Sequence, residues 1–303
     1  ESPSLRWTRP PPQPRAKRQR TLEEYAVCSP DGAPAASASR VPVDPSRTVV
    51  VSLFDADGSA LAPWAQAGYR CVAVQHEPNP RKWTAPGAVT SGAIRHARYA
   101  LDADAFGAGM AVDNYPWLDG GALGVAFACA SPPSRDLSVA GARHWKRKRE
   151  KNPRFQEDAV ALIKRIRDMF ETWGCPYYIA NPATSQLGRL WRAPNHTYQP
   201  YDYGGYLAPA DAHPRYPEHI PSQDAYSQHQ GLWTGGRFRM PRSKPVEPTW
   251  KYFTSTARGG PLAARQKRMS PILYHSWGAR AARATTPRGF AHALYERLHS
   301  ESA

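Results

Sequence analysis

The chain has 303 residues, 41% of them hydrophobic, with 40 Lys and Arg against 25 Asp and Glu, a formal net charge of +15. That length suits one large α/β domain or two small ones, and no run of apolar residues is long enough to span a membrane. The positive excess points to a polyanionic partner, because each Lys or Arg set on a phosphate releases condensed counterions.

Residues 1–47 read as a tail: Pro10–Pro14 is proline-rich, Arg15–Arg20 basic, and Ala33–Ser39 small and polar. Such a segment cannot bury enough apolar surface to fold alone. Its opening, Glu1-Ser2-Pro3, lacks the charged-then-apolar order of a signal peptide and reads as a trimmed end. From Thr48 the texture changes. Thr48–Phe54 is an apolar run suited to a buried parallel strand, followed by the turn Asp55–Ser59 and a short helix over Ala60–Ala67 stopped at Gly68. Further strands are expected over Tyr69–Val74, Ile94–Ala100, Ala122–Ala128 and Tyr177–Ala180. The plainest helix runs from Phe155 to Trp173, with Ala159, Ile163, Ile166 and Phe170 at helical spacing and Gly174 where a C-terminal cap belongs. Pro287 marks the start of a last helix. Strands alternating with helices indicate a doubly wound, Rossmann-like sheet. The expected organisation is a tail (1–47), a core (48–182), a loop-rich insert (183–260) and a C-terminal return to the core (261–303).

Four widely spaced cysteines, Cys28, Cys71, Cys129 and Cys175, form no Cys-x-x-Cys pair, and the histidines lack helical ligand spacing. Neither a disulfide framework nor a metal site is expected, and the pattern suits a reducing cytosol. Ligands of open α/β sheets bind beyond the carboxyl ends of the strands. Three of these ends carry suggestive residues. The first is Phe54, Asp55, Asp57 and Gly58, where glycine lets backbone approach a ligand. The second is Glu77, able to accept both hydroxyls of a ribose, and the third is Asp102, able to bond an adenine amino group. Together they suggest an adenosine-type cofactor, although each acid alone is as readily a helix cap.

The fourth strand runs into Ser131-Pro132-Pro133-Ser134, and then into Arg143, Lys146, Arg147, Lys148, Arg149 and Lys151 around Trp145. A rigid turn beside a mobile basic loop is a natural DNA clamp. The insert is rich in aromatics (Tyr198, Tyr201, Tyr203, Tyr206, Trp233, Phe238) among Arg189, Arg192, Arg237, Arg239 and Arg242. These aromatics could form a satellite core, but the arginines favour a DNA-facing surface. Gly204-Gly205 and Gly235-Gly236 would then bring backbone near a groove.

In order, these parts resemble the DNA (cytosine-5) methyltransferases, in particular a phage and prophage branch. The matching segments are Leu53-Phe54-Asp55 with Pro63-Trp64, Pro132–Ala142, Asn152–Gln156, Asn181-Pro182 and Thr286–Ala291. The resemblance covers about residues 48–298. It implies a class-I S-adenosylmethionine-dependent methyltransferase fold, double-stranded DNA as partner, base flipping, and a cytoplasmic, nucleoid-associated place in a bacterial or phage-infected cell. It also implies that the base is extruded against Pro132, Pro133, Ser134 and Asn181, with Pro132 near the cofactor. Two positions depart from the family. Its nucleophilic Cys is replaced by Ser134, and its ring-activating Glu by Ala180. A hydroxyl is a far weaker nucleophile than a thiol unless a base activates it. No His adjoins Ser134 in sequence, and Cys129 is expected to be buried in its strand. Three readings stay open: a catalytically inactive DNA-binding homologue, an enzyme redirected to an exocyclic amine (cytosine N4 or adenine N6) through the Ser-Pro-Pro-Ser turn, or an engineered trap.

Overall fold

Strands of largely apolar residues form a sheet, and the alternation of their side chains decides what packs on each face. The computed structural model describes residues 48–55, 57–76, 94–99, 124–256, 264–274 and 279–300. In chain order its elements are β1 (Val49–Leu53), α1 (Ala62–Gln66), β2 (Arg70–His76), β3 (Ile94–Tyr99), β4 (Val125–Ala130), α2 (Trp145–Lys151), α3 (Phe155–Trp173), β5 (Tyr177–Pro182), α4 (Leu187–Leu190), β6 (His196–Tyr198), β7 (Gln230–Gly235), β8 (Lys251–Thr256), β9 (Ala264–Met269), α5 (Pro271–Tyr274), α6 (Ala279–Ala282) and α7 (Arg288–Ser300). These residues all belong to one compact unit, Val41–Ala303.

The main sheet has seven strands in the order β3-β2-β1-β4-β5-β7-β6. Strands β1 to β5 are mutually parallel, and β7 runs antiparallel to both β5 and β6. The chain therefore reverses its winding between β1 and β4, which opens a crevice at the carboxyl ends of those two strands. All five residues of β1 are buried, as a strand covered on both faces must be. Val49, Val51 and Leu53 pack with Val160, Ile163, Ile166, Met169 and Phe170 of α3. Val50, Cys71, Ala73, Phe127 and Cys129 face Trp64 of α1 and Phe290, Ala293 and Leu294 of α7. The result is an α/β/α sandwich with a mostly parallel mixed sheet, the α/β class expected from the sequence. No helix among the described residues is long and apolar enough to cross a membrane.

Several expectations are met closely. Helix α3 has the predicted limits, and Gly174 caps it in the left-handed conformation (φ 65°). The apolar stripe of α3 explains its docking. Others are corrected. Strand β4 starts and ends later than Ala122–Ala128, so it delivers Ala130 directly to the Ser131 turn. Strand β5 continues through Asn181 and Pro182, paired with Gly231 and Gln230 of β7. The insert is less loop-rich than expected, because it supplies β6 and β7 to the main sheet. Its aromatics belong chiefly to the core: Trp233, Tyr198 and Tyr203 are buried, and Phe238 packs beside them. Tyr198 stacks on Phe290 of α7 at 4.1 Å between centroids. The glycine pairs serve the same close packing. A Cβ at Gly204 would meet the Gln223 carbonyl, and one at Gly236 would meet the Cys175 carbonyl. They bring the protein's own backbone together, not a nucleic-acid groove.

Candidate nucleic-acid base pocket and cofactor crevice

The carboxyl ends of β4 and β5 open into a cavity of about 600 Å³. Its walls include Pro132, Pro133 and Ser134 from the turn after β4, Ala180 and Asn181 from β5, Gln228 before β7 and Gln230 at its start, and Arg283, Thr285 and Thr286 from the approach to α7. Sequence segments separated by about 150 residues thus converge on one concave site, as a ligand pocket of this size requires. The register of the sheet sets the depth. The Ser131 amide donates to the Leu53 carbonyl (3.0 Å), fixing the start of the turn to the end of β1.

The turn is held rigidly. The Ser134 carbonyl accepts from the amides of Leu137 (3.0 Å) and Ser138 (2.7 Å), and the Gln186 amide donates to the Leu137 carbonyl (2.7 Å). Gly141 lies directly against the Arg135 carbonyl, where any Cβ would collide. Leu137 is fully buried beneath the turn. The Ser134 hydroxyl is therefore presented from a fixed backbone beside Asn181. Asn181 is 2% exposed, and neither of its side-chain amide atoms has a hydrogen-bond partner among the described residues. An unmatched buried amide costs on the order of 1–3 kcal/mol, a cost that a bound ligand with complementary polar edges would remove.

Among the described residues no base is hydrogen-bonded to Ser134. His144 lines the same cavity, and its Nε2 accepts a hydrogen bond from the Arg143 guanidinium (3.0 Å). Cys129 is 1% exposed, and burial pushes its thiol up to about 12, so it stays protonated at neutral pH. Its exclusion as a substitute nucleophile follows from that burial.

The expected mobile basic loop is a correction as well. Residues Val139–His144 form a 3-10 segment that continues into helix α2, whose every residue from Lys146 to Lys151 other than Glu150 is basic. Arg143, Lys146, Arg147, Arg149 and Lys151 are exposed, whereas Lys148 is half-buried and paired with Asp136. Gln156 of α3 donates to the Asp136 carbonyl (3.0 Å), so turn, basic helix and α3 are tied together. The basic residues are consequently ordered beside the cavity, which Arg143 itself lines. Arg189 is exposed on α4, whose start is bonded to the turn through Gln186. Arg192 is half-buried, 4.7 Å from the Trp191 ring centroid, and bonded to Asn195. Arg237 occupies the turn after Gly235, which pairs with Tyr177 at the amino end of β5, so it lies at the opposite end of that strand from the cavity. Arg239 is exposed two residues further on.

At the carboxyl end of β1, Phe54 adopts φ 61° and sits 6.0 Å from the His76 ring. Asp55 is buried, and its Oδ1 accepts the amides of Gly58 (2.8 Å) and Asp57 (3.2 Å). Burial, reinforced by the neighbouring Asp57 carboxylate, raises its pKa to about 6. Its Oδ2 is buried with no partner in hydrogen-bond geometry among the described residues, while the nearby Ser52 side chain favours the charged carboxyl. Gly58 has φ 73°, and a Cβ there would press on the His96 ring at 3.1 Å. The close approach this glycine permits is to β3, which amends the expectation of an approach to ligand alone. Glu77 and Asp102 lie outside the described residues, so the ribose and adenine contacts assigned to them have no structural counterpart here. Among the described residues no group of three or more His, Cys, Asp or Glu is placed to hold a metal ion.

Compared with known protein families and characterised proteins, the chain matches none.

Proposed function

We propose that the chain is a DNA-binding protein of the DNA cytosine methyltransferase type, which receives an extruded base in the cavity between Pro132-Pro133-Ser134 and Asn181. The observation that carries this reading is the Asn181 amide, buried in the wall of a cavity with ample room for a base and with both polar atoms unmatched among the described residues. A nucleobase offers donors and acceptors along one planar edge, which is what such an amide pairs with. The exposed cations of α2 beside the same cavity support a duplex partner, since they supply the sequence-independent phosphate contacts. The sheet order supports a class-I methyltransferase fold over a dinucleotide-binding one, in which the strand beyond β5 would be parallel. The protein acts, on this reading, in the cytoplasm of a bacterial or phage-infected cell.

The cofactor expected with this fold is S-adenosylmethionine, whose sulfonium supplies an activated methyl group. The residues that would hold it are Phe54, Asp55, Asp57 and Gly58 at the carboxyl end of β1 and Pro132 in the turn after β4, two segments that the parallel pairing of β1 with β4 sets side by side. In the cavity, Ser134 and Asn181 would orient the base, and the turn excludes water from one side of it. Among the described residues no base is hydrogen-bonded to Ser134, and Ala180 has no proton to share, so attack on the ring carbon is not supported. Two outcomes remain for the same site. One is binding without chemistry; the other is transfer to an exocyclic amine, which needs only in-line orientation.

Calorimetric titration with S-adenosylmethionine and its demethylated product, followed by anisotropy with duplex DNA at increasing salt, tests the reading. Micromolar cofactor binding with salt-dependent DNA binding is the expected result, and labelled methyl on DNA, resolved by base, would then separate the two outcomes. DNA affinity that ignores salt, or no DNA affinity, would overturn the proposal.

A further inference from the structure

We infer that Ser52, Cys129 and Tyr178 form a buried row of hydroxyl and thiol groups joining the Asp55 carboxyl at the crevice to Thr286 in the base cavity. Tyr178 is then a positioning residue, which turns its lone pair or its proton toward the cavity according to whether Asp55 is ionised. The three residues are partners in register on adjacent parallel strands, Ser52 of β1 opposite Cys129 of β4, and Cys129 opposite Tyr178 of β5. Residues in register point to one face of a sheet, here the face covered by α1 and α7, against which Cys129 and Tyr178 pack. Two residues earlier the same face carries Val50 opposite Phe127, so a polar row interrupts an apolar surface.

All three side chains are buried, and both ends of the row reach a site. At one end Ser52 lies beside the Asp55 carboxyl. Oδ1 of that carboxyl takes the amides of Gly58 and Asp57, which leaves Oδ2 as the oxygen for a proton or a further donor. In the middle the Cys129 thiol is within hydrogen-bonding reach of the Ser52 and Tyr178 side chains. At the other end the Tyr178 hydroxyl is within reach of the Thr286 side chain, and both residues line the cavity. A return path closes the circuit: the Thr286 amide donates to Ser59 Oγ (3.2 Å), and the Ser59 amide to Asp57 Oδ1 (3.1 Å).

Each group in the row carries one hydrogen and accepts another. Burial pushes the Cys129 thiol up to about 12 and raises the Tyr178 phenol well above its usual range, so both keep that hydrogen at neutral pH. With Asp55 ionised, the hydrogens point toward the carboxylate. Ser52 donates to Oδ2, Cys129 to Ser52 and Tyr178 to Cys129, and the Tyr178 oxygen is left as an acceptor at the cavity. With Asp55 protonated, the carboxyl donates to Ser52, the row reverses, and Tyr178 donates toward Thr286 and the cavity. The reversal is a rotation of hydroxyl and thiol groups, and the one proton gained or lost sits on Asp55. Among the described residues the titratable groups facing Asp55 are Asp57 of its own turn and Cys129 of β4. His76 of β2 packs on Phe54, while His96 of β3 and His213, near Arg215, face Asp57. An acceptor at the cavity suits an amino group of a base and a donor suits a carbonyl or ring nitrogen; this consequence rests on the proposed function, whereas the row itself does not.

The unliganded chain tests the row through the infrared S–H stretch, with the Cys129 band identified by its loss in Cys129→Ala, and through carbon-13 NMR of the Asp55 carboxyl. The Cys129 band is expected to move between about pH 5 and 7, with the same midpoint as the Asp55 carboxyl, while the bands of Cys71 and Cys175 stay fixed. Asp55→Asn, whose amide hydrogen stands where the carboxyl proton would, should hold the Cys129 band at its low-pH position. Ser52→Ala should leave the band indifferent to pH and raise the Asp55 midpoint by about one pH unit. Tyr178→Phe should also move that midpoint, whereas Tyr177→Phe, which removes a hydroxyl bonded to Glu171 on the opposite face, should not. A Cys129 band that ignores pH, or one that responds equally after Ser52→Ala, would overturn the row. Anisotropy of a labelled duplex then reads the cavity end: the affinity ratio between about pH 5 and 7 should change by roughly threefold in Tyr178→Phe. An unchanged ratio would overturn the positioning role of Tyr178. An unaltered protein with no salt-dependent DNA binding would overturn the proposed function and leave the row to stand or fall on the infrared and NMR results.

Discussion

At the scale of single residues, burial decides which groups can do chemistry. Cys71, Cys129 and Cys175 are buried, and burial pushes each thiol up to about 12. The native protein is expected to leave all three unalkylated by iodoacetamide at pH 8, whereas the urea-unfolded chain reacts at each, as read by peptide mass. Rapid native labelling of Cys129 would return it to consideration as a nucleophile. Asp224 shows the opposite use of burial. It is 2% exposed, its Oδ2 accepts the Gly289 amide (2.9 Å) at the start of α7, and burial raises its pKa to about 6. The unfolded chain releases this proton near 3.8, so between about pH 4 and 6 the native state holds more protons. Its contribution to stability therefore falls as pH rises through that window, by on the order of 2–3 kcal/mol. Asp224→Asn keeps the acceptor and suits the positive φ of 48°. The variant should show a flatter stability profile from pH 4 to 6, and greater stability at pH 7, by denaturant titration. The difference from the unaltered protein is the quantity to read, because His96, His213 and His292, whose pKa values burial lowers, act in the opposite direction. An unchanged slope would show that the Asp224 carboxyl is ionised in the native state well below pH 6.

At the scale of elements, two glycines separate a conformational cost from a collision. Gly174 ends α3 at φ 65° with nothing within 4 Å of the place a Cβ would take, whereas Gly236 at φ 59° sits against the Cys175 carbonyl. Gly174→Ala should cost about 1–2 kcal/mol in unfolding free energy, and Gly236→Ala at least another ~1–3 kcal/mol, because the β7 turn must move off the amino end of β5. Equal costs would mean that the β5–β7 edge is loose. The same elements show how much the sequence made legible. Strand β1 and helix α3 were readable because their periodicity reports burial on two faces and on one. The partnership of β5 with β7 was not, since Gln230–Gly235 is a short run with glycines near both ends and pairs across about 50 residues. The aromatics of the insert were ambiguous for another reason: Tyr and Trp serve cores and nucleic-acid surfaces alike, and only the position of α7 settles that Tyr198 and Tyr203 pack on Phe290. Helix α2 has no apolar stripe to announce it; it is held by Lys148 to Asp136 and the ties to α3. Of the candidate site, the Pro-Pro turn and Asn181 were visible as residues, but their meeting with Gln228, Gln230, Arg283 and Thr286 depends on the fold.

At the scale of the whole molecule, the question is whether the architecture could support a chemistry that Ser134 and Ala180 do not themselves carry. Ser134 and Ala180 both line the cavity, one on a turn fixed by Gly141 and Gln186, the other at a β5 position paired with Leu232. Neither substitution site requires the backbone to change. In the resembled family a thiol at the first position attacks the ring and a carboxyl at the second activates it. The double variant Ser134→Cys/Ala180→Glu should therefore gain cytosine-C5 methylation of duplex DNA above the single variants, because each half is of little use without the other. Transfer of labelled methyl from S-adenosylmethionine, with the modified base identified after digestion, checks it. A gain confined to the double variant would mean that the crevice at Phe54 and Asp55, the basic helix and the base cavity still form one working assembly. A flat result with cofactor and DNA both bound would place the divergence in the alignment of the two sites, so that the cavity holds a base but not in line with the methyl donor.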